Sequence, residues 1–381
     1  MQTYQPGTLI GQYEIASKPM IGGMGVVYFC IDHNNNDHPV ALKTFKPEYL
    51  PDRTARDRFL REGTAWVELG SHPHIVHCHA VEYIDQTAFL ILELIAKEPD
   101  REDASLRSWM GSSMPIEQVL LFSLQIARGM QHANTKIPGF VHRDLKPENI
   151  LVGADKLPGT NFNRLRVTDF GLASIIESEA KVLLEDDTRT ALGRTHLTHG
   201  ILGTPVYMAP EQWTGQPVGV YTDIYALGCI LFEMLTGKRA ADGLSVADLR
   251  AAHSNGRLQP VPEALPAMIK SLLSKCLALA QNERFQTWMQ VILALEAVFS
   301  AISGQAAPNE QAIAQISREE RQQVGWSYNA IGLSYKDMGR ADVAKSYFEK
   351  AYGLALEMDD SPAKSTALCY LAIAHKDLGN F

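Results

Sequence analysis

The 381-residue chain has a formal net charge of −8, with 46% hydrophobic and 20% charged residues, which is enough apolar material for two or three cored domains. An acidic chain with no long basic run lacks the footprint of non-specific nucleic-acid binding, which needs Lys and Arg to neutralise phosphates, so no nucleic-acid partner is expected. Cys30, Cys78, Cys229, Cys276 and Cys369 are scattered, odd in number and never spaced as CxxC, a pattern of reduced thiols in a cytoplasmic protein rather than of a disulfide framework or zinc site.

Residues 1–12 lack the basic start and long apolar run of a signal peptide and read as an N-terminal extension. From about Gln12 to Ile95 short β-type runs dominate. Val26-Val27-Tyr28-Phe29, Val40-Ala41-Leu42-Lys43 and Ala88-Phe89-Leu90-Ile91-Leu92 are rich in the β-branched and aromatic residues that strands favour. A helical stretch interrupts them from about Thr54 to Leu69, and from about Val119 onward the pattern turns mostly helical. Strands first and helices after predict an α+β fold in two lobes, β-rich and small, then helical and large. The apolar run from Met289 to Ile302 is interrupted by Glu296 and falls short of the roughly 20 residues a membrane span needs, so it predicts a core helix. The chain is expected to be soluble, with no membrane span unless one lies beyond Phe381.

Residues 300–318, with Ser303-Gly304-Gln305-Ala306-Ala307-Pro308-Asn309 at their centre, read as a linker. Residues 319–381 are Ala- and Tyr-rich and repetitive: Lys336-Asp337-Met338-Gly339 recurs as Lys376-Asp377-Leu378-Gly379, a spacing of 40. The chain stops just after the second copy, inside a repeat, and is expected to continue.

Chemistry concentrates in a few runs. Ile21-Gly22-Gly23-Met24-Gly25-Val26-Val27 is a Gly-rich turn between strands, where backbone N–H groups without Cβ neighbours can approach phosphate oxygens. Alone it reads better as a structural hairpin turn. Lys43, on the next strand, could reach the phosphates if a carboxylate held it, and Glu62 on the intervening helix is the candidate. In isolation both are ordinary surface charges.

Val141-His142-Arg143-Asp144-Leu145-Lys146-Pro147-Glu148-Asn149-Ile150-Leu151 resembles the catalytic loop HRDLxxxN of eukaryotic-type protein kinases. Asp169-Phe170-Gly171 resembles the DFG motif, and Gly203-Thr204-Pro205 through Ala209-Pro210-Glu211 the end of an activation segment. The resemblance spans residues 13–299 and extends to bacterial Ser/Thr kinases that carry C-terminal tetratricopeptide repeats. It implies a bilobal kinase fold, ATP and Mg2+ as cofactors, and protein substrates. It implies that Asp144 orients the substrate hydroxyl and accepts its proton, that Lys146 stabilises the moving phosphate, and that Asn149 and Asp169 hold magnesium. Lys43 and Glu62 form an ion pair, and Gly22, Gly23, Met24 and Gly25 cover the phosphates. Ile21, Val27 and Ala41 lie above the nucleotide and Leu151 below, with Leu92 as gatekeeper and the backbones of Glu93 and Ile95 as hinge. Thr204 bonds near Asp144 and Lys146, and Lys146-Pro147-Glu148 favours Ser/Thr specificity. Asp223 braces the catalytic loop, and Arg284 pairs with Glu211.

This chain departs from the family's GxGxxG at the first glycine, which is Met20; activity is expected to survive because Gly22 and Gly25 remain. His72, His74, His77, Cys78 and His79 tempt as metal ligands, but Ser71-His72-Pro73-His74-Ile75-Val76 resembles the structural turn after a kinase's regulatory helix. The long segment from Asp169 to Glu211 is rich in acids and hydroxyls. It reads as an activation loop, with Thr198 and then Thr195 as phosphorylation sites that Arg143 could pair with. In the tail, Tyr328, Ile331, Gly332, Tyr335, Ala344, Phe348 and Ala351 follow the tetratricopeptide pattern, whose period is about 34 residues, implying recruitment of a partner protein or peptide. A generic helical hairpin is the plainer alternative. For the whole chain the second reading is a dormant kinase-fold scaffold acting through its repeats.

Overall fold

The computed structural model describes residues 4–21, 25–45, 53–85, 87–170, 204–308 and 318–379. The chain folds into two compact units, one of Met1–Ser71, Val76–Leu94 and Ile313–Phe381, the other of His72–Ile75 and Ile95–Ala312.

The first unit is built on an antiparallel sheet of β1 (Leu9–Ile10), β2 (Tyr13–Ile15), β3 (Met20–Ile21), β4 (Gly25–Asp32), β5 (His38–Phe45), β6 (Cys78–Ile84) and β7 (Thr87–Glu93). Strand order is β1-β2-β4-β5-β7-β6, with β3 also on β4. Pleating sends alternate residues to opposite faces. Val26, Tyr28, Cys30, Val40, Leu42, Phe89 and Ile91 therefore face one way and join Ile10, Tyr13 and Ile15 in a closed core. Leu9 and Ile10 thus belong to the sheet: Ile10 is buried, and the Tyr4 ring packs edge-on to Tyr28 at 5.7 Å. The other face carries two aligned rows, Val27 beside Lys43 beside Leu90, and Phe29 beside Ala41 beside Leu92. Helix α1 (Arg53–Leu69) buries Phe59, Leu60, Trp66 and Val67, and its Phe59 ring meets Phe45 at 5.1 Å. A Cβ at Gly63 would lie 2.7 Å from the Leu90 side chain, so glycine lets α1 sit close on the sheet.

The second unit is mainly helical: α2 (Ile116–Lys136), the hairpin β8 (Ile150–Lys156) and β9 (Asn163–Val167), then α3 (Pro210–Thr214), α4 (Val220–Thr236), α5 (Val246–Ser254), α6 (Ala267–Cys276) and α7 (Trp288–Ser303). Helix α4 is buried nearly all round, from Thr222 to Leu235, as a helix apolar on every side must be. On α2, a Cβ at Gly129 would lie 2.6 Å from the His74 carbonyl oxygen, so the helix touches the backbone of the His72–Ile75 turn. The run expected as a core helix is α7: Val291, Leu295 and Val298 point inward, Leu293 is exposed, and Glu296 pairs with Arg128 at 2.9 Å. Among the described residues no helix is long and apolar enough to cross a membrane. The His72 ring stacks on His132 at 4.4 Å, and no group of three or more His, Cys, Asp or Glu among the described residues is arranged for a metal ion.

The tail contributes α8 (Arg318–Asp337), α9 (Ala341–Glu357) and α10 (Ser361–Asp377) to the first unit. The repeated glycines close α8 and α10 in the left-handed conformation, with φ of +76° at Gly339 and +74° at Gly379. A Cβ at Gly332 would collide with the Phe348 ring, so α8 and α9 approach closely there. Ile331, Ala344, Phe348 and Ala351 are buried in that hairpin, and Tyr335 stacks on Tyr347 at 5.6 Å.

Candidate active site

The residues singled out by sequence fall into two groups, one in each unit. In the sheet unit, Val27 and Lys43 are cross-strand partners, and Ala41 pairs with Leu92, all on the face opposite the closed core. Ala41 and Leu92 are buried. The Lys43 Nζ lies 5.7 Å from the centre of the Trp66 ring on α1, and Trp66 Nε1–H donates to the Val76 carbonyl at 2.7 Å. Gly25 is a close-approach position, since a Cβ there would meet the Thr44 carbonyl oxygen at 3.0 Å. Ile21 ends β3 in an exposed position. The Glu93 N–H donates to the His77 carbonyl at 2.8 Å, while its carboxylate accepts from the His77 N–H at 3.2 Å. Gly22, Gly23 and Met24 lie outside the described residues. Glu62 lies on α1, but its side chain is outside them.

In the helical unit a short loop is fastened from behind. Buried Asp223, in the first turn of α4, accepts the His142 N–H at 2.6 Å and the Arg143 N–H at 2.8 Å. Burial pushes its carboxyl up to about 6, against the pull of His142 and Arg143. His142 Nε2 is 3.0 Å from the Thr168 carbonyl, which can only accept, so Nε2 carries the proton. The Thr168 N–H returns a bond to the Asn149 carbonyl at 3.0 Å. These bonds tie residues 142–149 to the end of β9. Phe170, buried, packs its ring on His142 at 5.3 Å.

Within this frame Asp144 is nearly enclosed. Its Oδ2 receives Lys146 Nζ at 2.7 Å and Asn149 Nδ2 at 3.0 Å. Its Oδ1 is buried and has no hydrogen-bond partner among the described residues. Asn149 Nδ2 also donates to the Asp144 carbonyl at 2.8 Å. Non-glycine residues stand in the left-handed region at both ends of the site, Arg143 at φ +65° and Asp169 at φ +62°; such conformations cost energy and persist where surroundings enforce them. Leu151 lies on β8 and is partly buried, while Ile95 is buried. Thr204 begins the short helical turn Thr204–Tyr207, with its side chain outside the described residues. Thr195 and Thr198 lie outside them altogether.

Behind the site, Arg284 and Glu211 form a bidentate pair at 2.8 and 3.1 Å, both side chains at 0% exposure. Sequence reasoning missed a second node. Arg107 Nε meets Glu148 at 2.8 Å, its Nη1 meets Glu233 at 2.8 Å, and its Nη2 bonds the Tyr207 hydroxyl. It thereby joins the loop residue Glu148 to α4 and to the turn after Thr204. No motif marks an arginine in the short 3-10 turn Leu106–Trp109, so only the three-dimensional convergence identifies it.

Residues 14–294 match the protein kinase domain family. The chain is 29% identical over 303 residues to the serine/threonine-protein kinase PknD of Protochlamydia amoebophila, covering 74% of this chain and 29% of that protein. It is 32% identical over 273 residues to a probable serine/threonine-protein kinase PknB of Lactococcus lactis, covering 69% of this chain and 39% of the relative. It is 28% identical over 298 residues to the serine/threonine-protein kinase PrkC of Bacillus subtilis, covering 76% and 41%. The chain thus spans well under half the length of these relatives.

Proposed function

The chain belongs to the protein kinase family, and on that premise we propose that it moves the γ-phosphoryl group of ATP to Ser or Thr hydroxyls of protein substrates. The observation that carries the reading is Asp144, with one carboxylate oxygen held by Lys146 and Asn149 and the other buried without a partner among the described residues. A buried acceptor left unpaired costs free energy until a donor arrives. A substrate hydroxyl is such a donor. Asp144 orients it and takes its proton as the oxygen attacks the γ-phosphorus, and the bond to the β-phosphate oxygen breaks to release ADP. Lys146 holds positive charge beside that path.

Asn149 donates its amide N–H to Asp144, which leaves its Oδ1 as an acceptor; together with the Asp169 carboxylate it would suit Mg2+, a hard ion that prefers oxygen ligands. Bound there, magnesium supplies charge neutralisation on the phosphoryl oxygens. On the sheet, Lys43, kept in place by Glu62, binds phosphate, with Gly22, Gly23, Met24 and Gly25 closing over it. Ile21, Val27, Ala41 and Leu92 supply apolar contact to the nucleotide, as does Leu151 from β8, and the Glu93 and Ile95 backbones bond its base edge. Thr204 hydrogen-bonds near Asp144. The names of the relatives and the Lys146-Pro147-Glu148 run support Ser/Thr preference.

The reading extends to autophosphorylation at Thr198 or Thr195, a cytoplasmic setting, a kinase domain over residues 13–299 and a tail of tetratricopeptide type over 319–381 that recruits a protein or peptide. Transfer of labelled γ-phosphate with magnesium, comparing the wild type with Asp144→Asn and mapping modified residues, tests it. Label on Ser or Thr that the variant loses is the expected result. No label from wild type, with ATP binding intact, replaces this reading by a dormant scaffold.

A further inference from the structure

Helix α1 has two faces. Phe59, Leu60, Gly63, Trp66 and Val67 face the sheet, and Trp66 reaches Lys43. Asp57, Arg61, Thr64 and Glu68 recur at spacings of four, three and four, which puts them on one stripe of the helix. Such a polar stripe ordinarily faces water. Here the tail covers it. Arg340 pairs with Asp57 at 3.3 Å, Lys350 with Glu68 at 3.0 Å, and the Tyr347 hydroxyl bonds Thr64 Oγ1 at 3.1 Å. The Tyr335 phenol lies beside Asp57 and Arg61, and burial there raises its pKa.

The same hairpin also caps the sheet. Among the described residues β6 ends the strand order, so its outer backbone groups have no strand to pair with there. The Val81 N–H donates instead to Ser327 Oγ on α8 at 2.9 Å, in a buried contact, and the Tyr83 hydroxyl bonds Asp337. Burial, with Glu68 beside it, pushes the Tyr328 phenol up to about 12.

We propose that the α8–α9 hairpin is an intramolecular ligand of α1 and of the β6 edge, and that Ser327, Arg340, Tyr347 and Lys350 are positioning residues for phosphoryl transfer. Resting on the kinase reading above, this gives the tail a partner within its own chain. By clamping the outer stripe of α1, the tail holds the helix that carries Glu62 and Trp66 against the strand that carries Lys43. Docking therefore favours the arrangement in which Lys43 is held, and release of the tail slows transfer.

The test uses the full 381-residue chain. Ser327→Ala with Lys350→Glu removes the Val81 acceptor and sets like charges against each other at Glu68; adding Glu68→Lys restores an opposite pair. Hydrogen exchange across residues 53–69 and 78–84 reads the contact, and steady-state kinetics read its consequence. The double variant is expected to raise exchange in both segments about tenfold and lower kcat about fivefold with KM for the peptide unchanged. Glu68→Lys should recover much of both. Unchanged exchange in α1 overturns the contact; faster exchange in α1 with unchanged kcat overturns the positioning role. A kcat loss that stays while Glu68→Lys restores exchange also overturns it. If the wild type transfers no phosphate, the kinase reading fails by itself, and the α1 exchange difference still decides the contact.

Discussion

Asp223→Asn separates what a buried charge does for stability from what it does for the catalytic loop. The carboxyl is fully enclosed and raised from its ordinary 3.8 to about 6. A shift of about two units corresponds to about 3 kcal/mol by which the fold disfavours the charged form. The sign follows from linkage: the folded protein binds this proton more tightly than the unfolded chain does. This group's contribution to stability is therefore complete below about pH 4 and is lost as pH rises through about 6. The two backbone N–H donors of His142 and Arg143, however, need acceptors on both oxygens. Asparagine removes the charge penalty but turns one acceptor into an NH2 group facing an N–H. One charge-assisted bond is lost, worth about 1.5–3 kcal/mol, which is about 10–100-fold in rate if the loop geometry is felt in the transition state. The expected outcome at pH 7.5 is an unchanged or raised thermal midpoint with kcat down by that factor. The wild-type acid limb of kcat near pH 6 should be absent from the variant. A variant destabilised by several kcal/mol that keeps the wild-type acid limb would refute the reasoning.

Other substitutions probe the supports. Arg284→Met leaves Glu211 charged and uncompensated at 0% exposure, so unfolding in urea should show a loss of about 3–5 kcal/mol, and adding Glu211→Leu should recover much of it. Gly129→Ala drives a methyl group into the His74 carbonyl and should cost about 1–3 kcal/mol of stability by the same assay. Gly332→Ala meets the Phe348 ring, and limited proteolysis should cut within residues 318–379 faster than in the wild type. Arg107→Ala unties Glu148, Glu233 and Tyr207 at once and should lower kcat more than it lowers the thermal midpoint.

Part of the site was legible because its roles depend on near neighbours; Asp223, Glu211 and Arg284, whose partners lie 73 to 81 positions away, were legible because each stands in a local motif of its own. Asp144, Lys146 and Asn149 sit within six positions, and the loop that brings them together is short enough for its motif to carry the geometry. The strands around Val27, Ala41 and Leu92 were likewise legible, because alternation along each strand fixes which side chains share a face. Arg107 was not legible, since its partners lie 41, 100 and 126 positions away. The docking of the tail was the hardest to read. Its contacts to α1 and β6 join residues about 250 to 280 positions apart, and a charged stripe such as Asp57, Arg61, Thr64 and Glu68 has the same pattern whether it meets water or another helix.

That ambiguity has a physical source, and it bears on how the tail works. The polar pairs of this interface, Arg340 with Asp57, Lys350 with Glu68 and Tyr347 with Thr64, leave no apolar signature in the sequence. The same composition makes docking weak and salt-dependent, since pairs such as Lys350 with Glu68 are worth at most about 1 kcal/mol each and are screened. A contact of that strength can be displaced by a competing ligand of the hairpin without unfolding either side. If a protein or peptide takes the α8–α9 surface, it should remove the clamp on the helix that carries Glu62. Raising ionic strength should mimic such a ligand, lowering kcat in the wild type but not in a variant whose tail is already released.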